Sequence, residues 1–506
     1  MREAVSTGQV SPGRDAGLAV QAVRGVLWSG AGQIGIQALG FLVSVVLARL
    51  LSPREYGLAT ATSLVTGFLA SLGGTGLIAA LVQRVNVTDE DLDTSFWAGL
   101  GLGGGMALLL VAAAHQAAVF FREPLIAPLL MVQAVGLVLT PLGTVHTALL
   151  MRKMDFRSLA MVDLSTVAGS GVLAIGMALS GWGVWSLVVP GLVGTGLGIV
   201  VLWQHMTWRA RGGMALGALR ALARFSLSVC TFNVLNYVRG NVDYLVLGRV
   251  LGTGPLGLYY LAYNLTTLPQ TRLVPVITRV LFPALSAVQD DLPRLGMGYA
   301  RAVRYVSLVT FPLLIGLAIL APEFVLAVFG VRWVEAAPLV RILSIAGLLY
   351  SVGTTTGSVL FSRGRADLAC WIGIAGAVAM TGCVLVGARY GALGVAVGVA
   401  TYATISFLPI QLLANRLINL RPGEFLRALV PATFGSLVMA VVLIGAKVGW
   451  GAVGGATPLA ALLVLVPLAT ASYVGALRVA YSDVLAQLAG VVRQAFGARP
   501  VGSRVG

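Results

Sequence analysis

The sequence predicts an all-α integral membrane protein with about fourteen membrane-spanning helices. Of its 506 residues, 58% are hydrophobic and 10% are charged, whereas soluble domains carry about 25% charged residues. Apolar runs of about 20 residues recur along the chain, and each is long enough to cross a bilayer. A long stretch near the start also returns about 200 residues later, which is typical of membrane proteins built by duplication.

The apolar runs form two groups of six spans and a final pair. The first six lie at about 26–48, 56–82, 95–120, 125–150, 159–180 and 183–206. The next six lie at about 225–251, 256–284, 303–328, 338–361, 367–388 and 391–416, and the last two at about 426–446 and 454–477. The predicted parts are a cytoplasmic amino-terminal segment 1–24, an N-lobe 25–210, a C-lobe 220–418, two additional spans 425–478 and a basic cytoplasmic tail 479–506.

The repeat relates a stretch that starts at Leu47 to one that starts at Leu247. Five positions agree without a gap: Leu47, Arg49, Leu51, Gly57 and Leu58 match Leu247, Arg249, Leu251, Gly257 and Leu258. The tripeptide APL and the pair GT also recur in the same order farther on. Because each repeat holds an even number of spans, both lobes enter the membrane from the same side. Chance similarity between segments rich in Leu, Gly and Ala is the alternative.

The formal net charge of +16 comes from basic residues that lie mainly in short loops between the predicted spans. The positive-inside rule then places both termini in the cytoplasm. Basic clusters flanked by aromatic residues, which would suggest nucleic-acid binding, are absent from the sequence. The cysteines form neither a CxxC motif nor a cluster with histidine, so no metal site is expected. Without a nucleotide-binding loop or a catalytic triad, neither a cofactor nor an enzyme activity is expected.

Charged residues inside a membrane span are costly and are therefore the best candidates for a functional site. In the seventh span, Asn233, Asn236, Arg239 and Asp243 fall within one arc of about 120° on a helix. Arg239 and Asp243 are four residues apart, so they can pair on the helix surface. The stripe is either a group that lines a cavity or a salt bridge that only lets the helix insert.

The eighth span carries Arg272 and Arg279, seven residues apart and so on one face of a helix. Alternatively, Arg279 extends its long side chain to the cytoplasmic surface. The first repeat has apolar residues where the second has these charges, although Gln33 corresponds to Asn233. The counterparts of Arg239, Asp243, Arg272 and Arg279 are Leu39, Val43, Leu72 and Ala79. The charges are therefore expected to serve a function that was added to one lobe.

The three arginines and a single carboxylate predict a cationic pocket, with Asn233 and Asn236 as further polar contacts. A guanidinium presents a planar fork of donors that suits phosphate. A pyrophosphate head group therefore fits this pocket better than an organic cation does. Asp243 is a candidate for coupling to a proton or a sodium ion.

Two other features have simpler interpretations. Tyr259, Tyr260 and Tyr263 are expected to pack together or to anchor the helix at the interface, with a sugar path as the alternative. The acidic run at 89–93 is expected to be a solvated loop and helix start.

Several motifs occur in a characteristic order. The first half contains LARLLSPREYGLATATS from Leu47, DFRSLAMVD from Asp155 and GWGVWSLV from Gly181. The second half contains LGRVLGTGPLGLYYLAYNL from Leu247 and LFPALS from Leu281. This order resembles the polysaccharide-export (Wzx-type) branch of the multidrug/oligosaccharidyl-lipid/polysaccharide superfamily, over residues from about 20 to 480. The single motifs are loose, but their order and spacing are specific.

The resemblance implies a flippase of the bacterial inner membrane. Such a protein moves an undecaprenyl-pyrophosphate-linked oligosaccharide to the periplasmic leaflet for exopolysaccharide, capsule or O-antigen synthesis, by alternating access between two lobes. Arg239, Arg272 and Arg279 would then hold the pyrophosphate, and membrane lipids and a polysaccharide polymerase would be further partners. Three alternatives stay open: a cation-coupled multidrug exporter, a lipid II flippase and a scaffold of a polysaccharide-synthesis complex. The first usually has an acidic residue in its first spans, which the span at 26–48 lacks, and the second has membrane charges in both lobes.

Overall fold

A computed structural model describes residues 35–72, 87–274, 291–362, 365–452 and 457–487, with the single positions 78, 81, 82, 84 and 490. All elements assigned in these residues are helical. The first half forms α1 Gly35–Leu50, α2 Pro53–Ser71, α3 Asp89–Phe121, α4 Ile126–Arg152, α5 Phe156–Leu179 and α6 Trp185–His205. The second half forms α7 Leu216–Val250, α8 Thr253–Leu268, α9 Leu292–Ile319, α10 Ala321–Val328, α11 Ala336–Ser362, α12 Ala366–Ala388 and α13 Gly391–Leu417. Two more helices follow, α14 Pro422–Ala452 and α15 Pro458–Ala480.

Ten helices of the described chain are long and apolar enough to cross a membrane, namely α3 to α6, α9 and α11 to α15. The described residues therefore support a multi-pass membrane protein, and they do not reach the expected count of fourteen spans. The predicted spans one, two, seven and eight correspond to α1, α2, α7 and α8, which are not among the ten. α1 is a shorter apolar helix, α2 carries two charged side chains and α7 carries five.

The ninth predicted span, at about 303–328, is wrong at both ends. α9 begins earlier, at Leu292, where the carboxylate of Asp291 accepts a hydrogen bond from the Arg294 N–H at 3.1 Å. It ends at Ile319, and α10 starts a new helix with Pro322 in its first turn. Proline fits there because its missing N–H would have no helical partner in the first turn.

The start of α2 is fixed by its own sequence. Ser52 and Glu55 form a capping box, in which the Ser52 N–H donates to Glu55 Oε2 at 2.6 Å. Pro53 occupies the first helical position. Both features satisfy or remove N–H groups that a helix start leaves without partners. The turn between α1 and α2 is therefore rigid, and it positions the contact between the two halves of the chain.

The halves meet through few helices. In the first half α3 packs against α4 and α5 against α6, and in the second half α9 packs against α11 and α12 against α13. Between the halves, α2 packs against both α7 and α8, and α3 packs against α7. The final pair, α14 and α15, lies on α9 and α10. It is held there by bonds from the Tyr473 hydroxyl to the Leu308 carbonyl oxygen (2.7 Å) and from Lys447 to Glu323 (2.8 Å).

The two copies of the repeated stretch contact each other. At the crossing of α2 and α8, a Cβ added at Gly57 would overlap the carbonyl oxygen of Thr253. A Cβ added at Gly257 would overlap the carbonyl oxygen of Pro53. These two contacts are related by the same offset of about 200 residues that relates the repeats. Glycine at both positions lets the two backbones touch, as small residues do between membrane helices.

Two arginines of the repeat bind across the same contact. Arg49 of α1 donates to the carbonyl oxygens of Ala327 and Val328 at the end of α10, the second through Nε at 2.8 Å. Arg249 of α7 donates to the carbonyl oxygen of Phe120 at the end of α3, at 2.6 Å. A helix end exposes carbonyl groups with negative partial charge, which a cation stabilises. Each half thus supplies an arginine that caps a helix of the other half.

We call Arg49, Arg249, Gly57 and Gly257 the clamp. Its surroundings add further bonds between the halves. The indole N–H of Trp333, which is fully buried, donates to the Ala48 carbonyl oxygen at 2.7 Å. The halves are therefore closed against each other at the end of the bundle where α1 ends and α2 begins.

The segment that joins the halves, 206–215, is fastened to the start of α3. The Asp93 carboxylate accepts a hydrogen bond from the Gly212 N–H at 2.7 Å, and the Thr94 hydroxyl accepts one from the Ala215 N–H at 3.1 Å. The indole of Trp97 donates to the Gly212 carbonyl oxygen at 2.9 Å. The connection therefore moves with the first half.

The expectation that the acidic run at 89–93 is solvated is wrong for two of its residues. Asp93 is 8% exposed because it binds the connecting segment. Asp91 is 2% exposed and pairs with the Arg84 guanidinium at 2.7 Å. The periodicity of the run did not reveal this burial, because the partners lie outside the run.

The glycine crossing predicts a selective loss of stability. Gly57→Ala or Gly257→Ala should lower the free energy of unfolding by about 1–3 kcal/mol, since each methyl group would push against backbone. The matched control is Gly254→Ala on α8, where nothing lies within 4 Å of the added Cβ. Thermal unfolding of the purified variants checks this. Equal melting temperatures for all three variants would show that the crossing accommodates an added methyl group.

Candidate functional site

Asp243 is buried in the second half and bound by a tyrosine. Its side chain on α7 is 1% exposed, and its Oδ2 accepts a hydrogen bond from the Tyr259 hydroxyl of α8 at 2.6 Å. Oδ1 has no hydrogen-bond partner among the described residues. The Tyr259 ring packs against Tyr244 and Tyr263, with ring centroids 5.5 and 5.8 Å away. The carboxylate therefore lies in an aromatic environment and keeps one oxygen for another ligand.

Arg239 lies one turn before Asp243 on α7, and its side chain is exposed. The spacing allows these two side chains to pair, but no ion pair joins them in the described part of the chain. Asp243 turns to Tyr259 instead, because the neighbouring helix offers a hydroxyl donor within the buried layer. Arg239 is close enough to Tyr263 of α8 and Tyr350 of α11 to interact with them electrostatically. The interpretation of the stripe as a simple intrahelical salt bridge is thereby excluded.

The asparagines of the stripe lie on the same helix, farther from the clamp. Asn233 and Asn236 are both half-buried, and each interacts with another group. Polar side chains therefore continue along α7 from Asp243 over about 10 residues, or about 15 Å of helix.

Arg272 occupies an irregular turn after α8. Pro269 ends the regular helix, and residues Pro269–Leu273 form one π-helical turn that packs against α9 and α11. Such turns are frequent at functional sites, because they offset a side chain from the regular helical spacing. The Arg272 side chain is exposed. Arg279, the third predicted arginine, lies outside the described residues.

Arg239 and Arg272 stand at different depths in the bundle. Counted from the turn at Gly252, at about 1.5 Å per residue, Arg239 lies about 20 Å and Arg272 about 30 Å down their antiparallel helices. Their backbones are therefore about 10 Å apart along the bundle axis. Two extended arginine side chains at these depths can bind a diphosphate that lies between them. A single phosphate group would reach one of the two arginines first.

A polar cavity of about 230 Å³ lies between the halves, beside the clamp. Its walls come from both sides of the contact. α2 contributes Tyr56, Thr60 and Ser63, and α7 and α8 contribute Tyr237, Asn241, Tyr244 and Tyr260. Sequence reasoning singled out only Tyr260 among these. The others carried no signal, because the cavity exists only where α2 approaches α7.

The three expected tyrosines separate into two roles. Tyr260 lines the cavity, whereas Tyr259 and Tyr263 pack against each other inside the second half. The packing interpretation is confirmed for Tyr259 and Tyr263. Among the described residues, no group of three or more His, Cys, Asp or Glu side chains comes together to hold a metal ion.

A model of a known protein family matches the chain over residues 46–338, and that family is described as "Polysaccharide biosynthesis protein". The chain belongs to this family. Two relatives extend the match. The chain is 28% identical over 383 residues to the lipopolysaccharide biosynthesis protein WzxC of Escherichia coli (strain K12), covering 74% of this chain and 77% of WzxC. It is 30% identical over 370 residues to the succinoglycan biosynthesis transport protein ExoT of Rhizobium meliloti (strain 1021), covering 73% and 75%.

The fold is similar to that of a solved transporter. The lipid II flippase MurJ, in an inward closed conformation, superposes with a TM-score of 0.73, over 90% of this chain and 99% of MurJ, at 14% sequence identity. At that identity the similarity concerns the fold alone. The family model and these relatives confirm the resemblance to polysaccharide-export proteins. The protein is thus a multi-pass membrane protein of the polysaccharide biosynthesis family.

The bond between Asp243 and Tyr259 predicts a specific sensitivity. Tyr259→Phe should lower the free energy of unfolding by about 1–3 kcal/mol, because a buried carboxylate would lose its only described donor. Tyr263→Phe removes a hydroxyl group from the neighbouring ring. Among the described residues, that hydroxyl group forms no hydrogen bond to Asp243. The melting temperature of Tyr263→Phe should stay near that of the unmodified protein. Indistinguishable thermal unfolding of the two variants would mean that the bond does not stabilise the fold.

Proposed function

We propose that the protein is a flippase that moves an undecaprenyl-pyrophosphate-linked oligosaccharide from the cytoplasmic to the periplasmic leaflet of the bacterial inner membrane. The observation that carries the proposal is the exposure of Arg239 and Arg272 on α7 and on the turn after α8. α7 lies at the contact between the halves, and the turn that carries Arg272 packs against α9 and α11, in a member of the polysaccharide biosynthesis family. Exposed arginines inside a membrane bundle are costly unless they serve a function.

The charge of the site suits a pyrophosphate. Two guanidiniums at two depths can each donate a pair of parallel hydrogen bonds to phosphate oxygens. Asp243 forms no ion pair with either arginine in the described part of the chain, and its Oδ2 is bound to Tyr259. We assign Arg279, which follows Arg272 by seven residues in the sequence, to the cytoplasmic approach to the same site. Asn233 and Asn236 extend the polar path along α7.

The clamp supports alternating access. We infer fourteen spans in two lobes, 25–210 and 220–418, with both termini in the cytoplasm, because the basic loops then face inward. The clamp then lies at the periplasmic face, and the described conformation is closed on that side. Opening requires that α2 and α8 separate and that both arginines leave the helix ends they cap. A transition that breaks a small set of bonds together has two discrete states, as alternating access needs.

Asp243 is the candidate for energy coupling. Its free Oδ1 lies in the lobe that carries the arginines. A proton or a sodium ion bound there would neutralise a buried charge beside the moving α7–α8 pair. We assign the coupling role to Asp243. Transport assays at different pH and sodium concentrations identify which ion it binds.

Export of polymer tests the arginines directly. In a host that lacks its own flippase, Arg239→Ala and Arg272→Ala should each reduce export about 10- to 100-fold, because each removes a charged hydrogen bond to the head group. Lipid-linked repeat units should accumulate on the cytoplasmic side. Arg294→Ala, which removes an exposed arginine that pairs with Asp291 at 3.1 Å, is the control and should export normally.

Other outcomes would identify other functions. Normal export by both arginine variants at normal protein level would refute the site. Loss of polymer without accumulation of lipid-linked repeat units would indicate a scaffold for the synthesis complex rather than a transporter. Sensitivity to cationic drugs, or a defect in cell-wall synthesis, would indicate a multidrug exporter or a lipid II flippase.

The clamp arginines predict a change of accessibility. Arg49→Ala or Arg249→Ala should destabilise the closed periplasmic side by about 1 kcal/mol, which is about a fivefold change in population. The three native cysteines are first replaced, and Ser63 of the cavity is changed to Cys. A maleimide reagent added from the periplasm should then label Cys faster in both variants.

The control for this labelling is Arg389→Ala. Arg389 is an exposed arginine after α12 and takes no part in the clamp. It should leave the labelling rate unchanged. Labelling at the control rate in both clamp variants would show that the arginines do not hold the halves together.

A further inference from the structure

The cavity beside the clamp has a lining suited to an uncharged, hydroxyl-rich ring. None of the described residues that line it is charged, so it does not suit the pyrophosphate. Tyr56 and Tyr260 face it from opposite halves, with ring centroids 6.5 Å apart and ring planes tilted by 44°. Aromatic side chains offer a large apolar surface together with a polar edge. A pyranose ring has a matching shape, with C–H groups on its faces and hydroxyl groups around its rim.

Several polar groups of the lining have capacity left for a ligand. Asn241 donates its amide N–H to the Tyr237 carbonyl oxygen at 2.8 Å, and its side-chain oxygen has no hydrogen-bond partner among the described residues. The hydroxyl groups of Ser63 and Tyr244 also have no hydrogen-bond partner among the described residues. Tyr244 is buried, Asn241 is half-buried and Ser63 is exposed, and polar groups that are withdrawn from bulk water cost free energy unless bound water or a ligand satisfies them. One acceptor and two hydroxyl groups thus face a common space between the halves.

The position of the cavity relative to the arginines gives it a role. Asn241 lies about 17 Å and Tyr260 about 12 Å from the turn at Gly252, whereas Arg239 lies about 20 Å and Arg272 about 30 Å away. A head group whose phosphates meet Arg272 would therefore extend its distal sugars toward the clamp. Because the cavity walls belong to both halves, a sugar bound there also bridges them.

We propose that this cavity is the subsite for a distal neutral sugar ring of the cargo, and that Asn241 selects it by hydrogen bonding. The inference rests on the proposed flippase function and adds to it the source of sugar specificity. A binding site that hydrogen-bonds a hydroxyl group discriminates against cargo that lacks it, because its own polar groups would stay unpaired.

Binding to two lipids that differ only in their sugars tests the subsite. The probes are undecaprenyl pyrophosphate and undecaprenyl pyrophosphate carrying a linear, neutral tetrasaccharide of glucose and galactose, measured with the purified full-length chain in detergent. The unmodified protein should bind the glycosylated lipid at least tenfold more tightly. Asn241→Leu and Tyr244→Phe should each weaken binding of the glycosylated lipid about 2- to 10-fold. Binding of undecaprenyl pyrophosphate should stay within twofold.

The matched control is Asn264→Leu on α8. Asn264 donates to the Tyr260 carbonyl oxygen at 2.9 Å, four residues back, as Asn241 does on α7, but it is exposed and does not line the cavity. It should leave the affinities for both lipids unchanged. An unchanged preference for the glycosylated lipid in Asn241→Leu overturns the subsite, and so does an equal loss of affinity for both lipids.

Arg239→Ala separates this inference from the proposed function. It should weaken both lipids equally, because it removes a contact to the shared pyrophosphate. If it weakens neither while Asn241→Leu still reduces the sugar preference, the pyrophosphate site is wrong and the sugar subsite stands. If Arg239→Ala acts as expected and Asn241→Leu does not, the flippase assignment stands and the subsite falls.

Discussion

The close crossing of α2 and α8 is the constraint on which the arrangement of the two halves depends. Gly57 and Gly257 bring backbone against backbone, with no side chain between them. Only at that separation can Arg49 and Arg249 reach helix ends of the opposite half. Helices that touch at one point and are tilted must diverge from it, and the cavity lined by Tyr56 and its neighbours opens where they do. Tight packing at one end and polar space beside it thus have a single cause.

The clamp is symmetric between the two repeats, whereas the polar stripe of α7 is not. The clamp uses the same residue types at equivalent positions of both repeats, so each half holds the other in the same way. The polar stripe has no such counterpart, because Leu39 and Val43 stand where Arg239 and Asp243 would be expected. Holding the halves together and the proposed binding of cargo therefore depend on different residues, so mutations in one set need not disturb the other.

The sequence sufficed where a property belongs to one helix. Apolar runs located α3 to α6 to within a few residues, and helical periodicity showed that Asp243 and Arg239 share a face of α7. The sequence did not reveal a contact when the residue's partner lies on another helix or segment. The bond from Tyr259 to Asp243, the burial of Asp93 and the cavity all require the approach of distant segments. The repeat pointed to Gly57 and Arg49 as matching positions, but spacing alone could not show that the two copies touch.

The connection between the halves is shorter in effect than its ten residues suggest. Asp93, Thr94 and Trp97 tie segment 206–215 to α3 as far as Ala215, and α7 begins at the next residue. The second half is thus attached to α3 directly before the start of α7, the helix that carries Arg239. A rotation of the second half relative to the first, as the proposed alternating access requires, would therefore pivot near Ala215, where a carboxylate, a hydroxyl and an indole of α3 hold the connecting segment.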